Sequence, residues 1–426
     1  MTSMQHKFGA LDLIRAGLQD LDRARTLFDE LHNDGIDDDR MRLLLATLEK
    51  ACDPDIALSN LVDIIKVMQS QGKDFTNIIA DENSFVRLIT VLGVSDEMGK
   101  LMRFRPELVE AAANDACESH LYNHEQRRAH VLKSVGADPN DHPMPTASLP
   151  LAEAATALRK TYRKQLAAIM AQDATANDPI EIQPRISTEL SDLADAALEG
   201  ALAIARHEVD GSEHVRFAII GMGKLGAQEL NYVSDVDLIY VVEPADMDTN
   251  GMALSRIGTK MATTLQRVCQ SVIMGVAEPT LWQIDGGLRP EGKDGPLVRR
   301  LESHEAYYEQ WAENWEFQAL LKARPVAGDT DLGQAYMDMT RPFVWTASKR
   351  DNFVYDCQQM RKRVEDLIPN PLKDREIKLG RGGLRDVEFT VQMLQLVHGR
   401  SDEALRTSST LESLQALAEG GYVSRK

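Results

Sequence analysis

Residues 217–242 read Phe-Ala-Ile-Ile-Gly-Met-Gly-Lys-Leu-Gly-Ala-Gln-Glu-Leu-Asn-Tyr-Val-Ser-Asp-Val-Asp-Leu-Ile-Tyr-Val-Val. An apolar run, Phe217–Ile220, feeds a glycine-rich turn of Gly221, Gly223 and Gly226 that carries Lys224. Ser234-Asp235-x-Asp237 follows and opens a second apolar run, Leu238–Val242. Side chains alternate along a strand, so Asp235 and Asp237 project from one face. Two neighbouring carboxylates repel unless a cation lies between them. Glycines that admit an anion to the backbone, a lysine and a carboxylate pair suited to Mg²⁺ describe a nucleotide or nucleotidyl-transfer site. The spacing fits neither Gly-x-Gly-x-x-Gly nor Gly-x-x-x-x-Gly-Lys-Ser/Thr. Read alone, the Asp-x-Asp is also compatible with a solvated strand edge.

The remaining composition narrows the class. The chain has 426 residues, 43% of them hydrophobic, enough for two or three domains with sizeable cores. Aromatic residues reach only 5% while Ala and Leu abound, which favours helix. A net charge of −18 disfavours non-specific binding to nucleic acid or anionic membrane. A nucleotide must then be held by a local basic cluster and a metal. Cys52, Cys117, Cys269 and Cys357 form no Cys-x-x-Cys pair and read as reduced thiols. No apolar signal core and no run of about 18 apolar residues is present, so the expected location is the cytoplasm.

Helical periodicity dominates residues 8–138. Leu11, Ile14, Leu18 and Leu21 share one stripe, and Leu61, Ile64, Ile65 and Met68 another. His120 and His124 stand four apart, but with no third ligand nearby they read as a solvated or hydrogen-bonded pair. Pro139, Pro143, Pro145 and Pro150 mark a loop. A helix from Leu151 to about Gln172 carries Arg159, Lys160, Arg163 and Lys164, read as a solvated face or as a helix beside the nucleotide. Residues 174–185 read as a loop, with Ser187 the N-cap of the next helix. Strands are expected at 216–220, 238–242, 281–285 and 296–298, and helix from residue 303 to Val423.

Three further segments carry chemistry. Trp282-Gln-Ile-Asp-Gly-Gly-Leu-Arg-Pro ends a strand on Asp285, with Arg289 four residues on. A third carboxylate beside two others suits a two-metal site, although Asp is also an ordinary turn residue. Lys322-Ala-Arg324 could meet phosphate oxygens or simply complement the C-terminus of a helix. Trp311 and Trp315, upstream of it, read as core. In Lys378-Leu-Gly-Arg-Gly-Gly-Leu-Arg-Asp-Val-Glu-Phe389, Gly380, Gly382 and Gly383 open a helix, an arrangement suited to cradling an anion. On that helix Leu384, Val387, Val391 and Leu394 form the expected apolar side, and Arg385, Glu388, Gln392 and Gln395 the polar side.

Taken together and in this order, these segments resemble the glutamine synthetase adenylyltransferase family. The resemblance covers roughly residues 80–426 and is most specific at 221–242 and 377–389; Val91-Leu-Gly-Val-Ser-Asp and Phe104-Arg-Pro-Glu-Leu extend it toward the N-terminus. It implies a predominantly helical α+β fold. A DNA-polymerase-β-type nucleotidyltransferase domain at 146–335 is expected between an N-terminal helical region, 1–145, and the start of a helical bundle, 336–426. That family pairs two such halves, one adding AMP to a tyrosine of glutamine synthetase and one removing it by phosphorolysis. Glu229-Leu230-Asn231 with Ser234-Asp235 resembles the N-terminal, adenylyl-removing half. The chain departs from the family pattern at Ala227-Gln228, Gly287, Arg381 and Asp386.

The resemblance implies Asp235, Asp237 and Asp285 as catalytic ligands of two Mg²⁺. It implies Gly221, Gly223, Lys224, Gly226, Ser234, Arg289, Lys322, Arg324, Lys378, Gly380, Gly382 and Gly383 as nucleotide- or phosphate-binding residues. Adenylylated glutamine synthetase, a PII-type signal protein, inorganic phosphate and adenine nucleotide are the implied partners, with no nucleic acid or membrane. Two alternatives stand beside deadenylylation: forward adenylyl transfer from ATP, and a PII-sensing module without its own catalysis.

Overall fold

The computed structural model describes residues 8–73, 75, 81–114, 122–246, 250–373 and 375–424. Cys117 and His120 lie outside the described residues. The chain divides into two compact units, one of Met1–Glu125 with Lys160–Glu189, the other of Gln126–Arg159 with Leu190–Lys426.

The first unit is helical among its described residues. Aspartates set its helix starts: Asp20, Asp37, Asp53 and Asp81 each accept a hydrogen bond from a first-turn amide. In Pro54–Ser70, Pro54 stands where no amide is needed, and Leu61, Ile64, Ile65 and Met68 are all buried as their spacing requires. The stripe through Leu11 and Ile14 does not hold. The helix Ala10–Arg15 ends before Gly17, which turns left-handed at φ 82°, and Leu11 and Ile14 are exposed.

The helix read as starting near Ser187 instead begins at Pro179 and runs to Glu208. Asp178 accepts from the amides of Ile180 and Glu181, and Pro179 occupies the first position. Pro184, the sixth residue, lies inside the helix, where it removes one backbone hydrogen bond. The basic helix Leu151–Ala174 splits its charges: Lys160 and Lys164 are exposed, but Arg159 and Arg163 are buried. Arg159 donates to the carbonyls of Val268, Ser271 and Glu278, satisfying the end of the helix Gly251–Gln270.

The second unit is built on a mixed five-stranded sheet. Its strands are β1 Val215–Gly221, β2 Val236–Pro244, β3 Ile284–Asp285, β4 Val298–Arg299 and β5 Arg324–Gly328. β1 lies antiparallel between β2 and β5, while β3 and β4 pair parallel with successive parts of β2. The unbroken apolar runs of β1 and β2 follow from burial on both faces. Leu238, Tyr240 and Val242 take the side of Gly251–Gln270, where Gln266 donates to the Tyr240 hydroxyl. Ala218, Ile220, Ile239 and Val241 pack with Tyr308, Phe317 and Tyr336 from the helices Leu301–Gln310, Asn314–Leu320 and Thr330–Thr346. Asp237 shares the parity of Ile239 and Val241, so it opens toward those later helices.

Predominantly helical α+β is therefore the observed class. β5 was not expected: helix was read through it, yet the helix stops at Leu320 and Arg-Pro-Val-Ala-Gly pairs with β1. The proline is tolerated because β5 is an edge strand with an irregular register. Trp311, read as core, is 74% exposed at the C-cap of Leu301–Gln310.

Candidate active site

Strand register sets Asp285 beside Asp237, and Asp235 stands two residues before Asp237. Asp237 sits one residue into β2 and is the register partner of Asp285 on β3. Parallel neighbours in register place their side chains on one face about 4.8 Å apart. Asp235 stands immediately before β2 and, like Asp285, is exposed, whereas Asp237 is half-buried. Burial first, then the charge of Asp285, pushes the Asp237 carboxyl up to about 6, and Asp235 adds to this. Arg385 and Lys378 oppose the shift. Like charges placed directly across a strand pair destabilise a sheet. The donor set is all carboxylate oxygen, the chemistry a hard divalent cation such as Mg²⁺ fits.

The glycine turn lies against this set. Met222 donates its amide to the Asp237 carbonyl at 2.8 Å. Gly223 is left-handed at φ 54°, and a Cβ there would lie 2.6 Å from Oδ2 of Asp237. At Gly226 a Cβ would stand 1.7 Å from the Lys322 carbonyl oxygen. Gly221 ends β1, paired with Leu238 and Arg324. Ser234 donates to the Asp235 carbonyl at 3.0 Å, and Gly287 donates its amide to Asp285 Oδ1 at 2.7 Å.

The basic candidates divide into two groups. Arg289 donates to the carbonyls of Gly286, Lys293 and Gly295, so it braces its own loop. Arg324 grips Asp195 with both terminal nitrogens, at 2.6 and 3.2 Å, and also donates to the carbonyls of Leu225 and Gly226. Lys322 is buried and donates to Glu229 at 3.0 Å, Glu388 at 2.7 Å and Thr410 at 2.9 Å. These three side chains hold the scaffold in this structure and have little capacity left for phosphate.

Lys224, Lys378 and Arg385 form the other group. Lys224 has one long hydrogen bond, 3.4 Å to Asn231. Its pKa is lowered by burial first and then by the charge of Lys378, with Arg385 and Lys322 adding to it and Glu388 opposing. Lys378 is exposed, and Arg385 makes one ion pair, 3.0 Å to Glu388.

The second glycine loop is not an open amide cradle. The amides of Leu384 and Arg385 turn back to the carbonyls of Ile377 and Lys378, and Gly382 donates to Asp386. Arg361 closes the loop through Asp386 and the carbonyls of Leu379 and Gly380. Gly380, Gly382 and Gly383 serve the tightness of this fold: Gly382 is left-handed at φ 76°, and a Cβ on Gly380 would meet the Glu376 carbonyl at 2.1 Å. The helix Leu384–His398 also presents its faces differently from expectation. Leu384 and Val387 are exposed, while Gln392 and Gln395 are buried, Gln392 against Gln318 and Gln395 against the carbonyls of Leu405 and Thr407.

Sequence reasoning noted Arg385 only as a partner of Glu388 and did not assign Glu229 a task. Glu229 accepts from the Thr410 amide at 2.6 Å, the Ser409 hydroxyl at 3.2 Å and the Thr410 hydroxyl at 3.0 Å, besides Lys322. It thereby ties the end of the glycine turn to the helix Thr410–Glu419. Its place directly after the turn is the sole local signal, and its partner lies 181 residues away.

Comparison with known proteins bears on this arrangement. The family model described as glutamate-ammonia ligase adenylyltransferase matches residues 85–339, and the one described as GlnD PII-uridylyltransferase matches residues 358–426. A bifunctional glutamine synthetase adenylyltransferase/adenylyl-removing enzyme of Bifidobacterium longum strain DJO10A is 76% identical over all 426 residues, which cover 40% of that relative. The proteins of the same name from Cutibacterium acnes and Corynebacterium glutamicum are 44% and 43% identical. Those matches take in 97% and 90% of this chain, and 41% and 38% of the relatives. The chain thus spans about 40% of the length of the curated relatives it matches. Among the described residues no helix is long and apolar enough to cross a membrane. With a family model matching more than half of its length, the chain belongs to the glutamate-ammonia ligase adenylyltransferase family.

Proposed function

We propose that this chain removes AMP from glutamine synthetase by phosphorolysis, converting adenylyl-tyrosine and phosphate to tyrosine and ADP. The observation that carries the proposal is the register pairing of Asp237 with Asp285, with Asp235 adjoining, under a glycine turn that only glycine can form. Asp235, Asp237 and Asp285 would hold Mg²⁺, two ions in this reading, which when bound neutralise phosphoryl oxygens and align the attacking and leaving groups. Gly223 lets the turn approach the carboxylates without a side chain between them. Lys224 brings positive charge to the edge of the same turn, where it favours charge that develops on phosphoryl oxygens in the transition state. Arg324 and Lys322 keep the turn rigid, so the site is organised before substrate arrives.

The removing direction rests on the resemblance of Glu229-Leu230-Asn231 to the adenylyl-removing half, and on relatives whose name includes that activity. The match of residues 358–426 to a PII-uridylyltransferase supports a PII-type protein as regulator. The forward reaction is the second reading, favoured by the description of the family model that covers residues 85–339. Isotope placement separates the two. The chain is incubated with Mg²⁺ and either labelled ATP and unmodified glutamine synthetase, or phosphate and AMP-labelled glutamine synthetase. Label leaving as ADP in the second mixture alone is the expected result; label entering the synthetase in the first mixture alone overturns the assignment.

A further inference from the structure

We propose that Lys224, Lys378 and Arg385 form the subsite for inorganic phosphate, with Arg385 a catalytic residue that the sequence motifs do not assign. The inference rests on the phosphorolytic reading above and names the residues that receive its second substrate. Phosphorolysis needs a nucleophile that is itself a dianion. It must approach a phosphodiester flanked by carboxylates, so it requires positive charge of its own.

The cations around the site differ in how far their donors are already used. Arg289, Lys322 and Arg324 are engaged by carbonyls, carboxylates and a hydroxyl of the protein. The Lys224 side chain has a single hydrogen bond of 3.4 Å, that of Arg385 a single ion pair, and that of Lys378 neither a hydrogen bond nor an ion pair with the described residues. Lys378 and Arg385 lie close enough to Lys224 to act on its charge, an arrangement that an anion relieves.

A continuous set of bonds links the backbones of Lys224 and Lys378 with the Arg385 side chain. The Lys224 carbonyl accepts from the Glu229 amide at 2.8 Å, and the Glu229 carboxylate holds Lys322. Lys322 holds Glu388, and Glu388 pairs with Arg385. The Arg385 amide donates to the Lys378 carbonyl at 2.9 Å. Arg385 and Glu388 lie on the side of Leu384–His398 that also carries the buried Gln392 and Gln395. Arg presents parallel N–H groups suited to two phosphate oxygens, and the lysines act as point charges.

In the reaction an oxygen of the bound hydrogen phosphate forms a bond to the AMP phosphorus as the bond from that phosphorus to the tyrosyl oxygen breaks. The bonding electron pair leaves on the phenolic oxygen, which receives the proton given up by the phosphate. The products are ADP and tyrosine, with total charge unchanged.

Phosphate binding is measured by titration calorimetry, and phosphate-dependent ADP release by kinetics, for the full chain and for Lys378→Gln, Arg385→Gln, Arg385→Lys and Arg381→Gln. Arg381 shares the loop, is exposed, and serves as the matched loss of one charge. Loss of one charged hydrogen bond predicts that Lys378→Gln and Arg385→Gln weaken phosphate binding about tenfold or more. The KM for phosphate rises in parallel, the KM for adenylylated glutamine synthetase does not, and Arg385→Lys recovers part of the loss. The Lys378 side chain is exposed and makes no hydrogen bond or ion pair with the described residues, so its variant leaves the fold intact. Unchanged phosphate binding in Lys378→Gln and Arg385→Gln overturns the proposal, as does an equal loss in Arg381→Gln or a selective rise in the KM for the synthetase. Phosphate binding that follows the expected pattern in a chain that releases no ADP upholds the subsite and refutes the phosphorolytic reading instead.

Discussion

Replacing Asp237 by Asn should make the metal-free protein more stable at pH 8 while abolishing catalysis. The folded Asp237 carboxyl is pushed up to about 6, from an ordinary 3.8, by burial and by Asp285 and Asp235. The folded state therefore binds this proton more tightly than the unfolded state does. The contribution of this carboxyl to stability is fully present below about pH 4 and is lost as pH rises through about 6. At about 1.4 kcal/mol per pH unit, the gap amounts to about 3 kcal/mol lost by the parent above pH 7. Asn keeps the shape and removes the charge, so the variant escapes that loss. Urea denaturation with a chelator, repeated from pH 4 to pH 8, should give curves that converge near pH 4 and separate by about 2–3 kcal/mol at pH 8. Mg²⁺ at about 100 times its dissociation constant should then stabilise the parent by about 2.7 kcal/mol and the variant far less. A variant less stable than the parent at pH 8, or a difference independent of pH, would refute the reasoning.

Three substitutions probe the scaffold that holds this site. Gly226→Ala drives a Cβ onto the Lys322 and Gly221 carbonyls, backbone atoms that cannot step aside, and should cost about 3 kcal/mol in denaturant unfolding. Lys322→Met strands Glu229 and Glu388 without their shared cation and should destabilise by about 3–5 kcal/mol, with partial recovery when Glu388→Gln is added. Arg159→Met removes the donor that the carbonyls of Val268, Ser271 and Glu278 share, for a loss of about 2–4 kcal/mol; an unchanged midpoint would deny its capping role.

What could be read from the sequence was what is local. The apolar runs of β1 and β2, the glycine turn between them and the carboxylates at the start of β2 lie within 26 consecutive residues, so period and turn chemistry suffice to locate them. Asp285 was legible as a carboxylate closing a strand, but its pairing with Asp237 depends on a parallel register that no local pattern encodes. β5 was lost because Arg324–Gly328 is short and contains a proline, and pairing with β1 alone makes it a strand. The division of the cations was also invisible. Arg324 is occupied by Asp195, 129 residues away, and Lys322 by Glu229, 93 residues away. Leu384–His398 misled for a related reason: its glutamines are buried because Gln318 and the carbonyls near Leu405 satisfy them, and periodicity does not report such partners.

The most direct measurement is ADP release from adenylylated glutamine synthetase by this chain with Mg²⁺, with and without inorganic phosphate, beside its Asp235→Asn/Asp237→Asn variant. The account predicts ADP in step with AMP lost from the synthetase, dependent on phosphate and absent from the variant. Undiminished ADP release by the variant, or AMP removal that ignores phosphate, would contradict it.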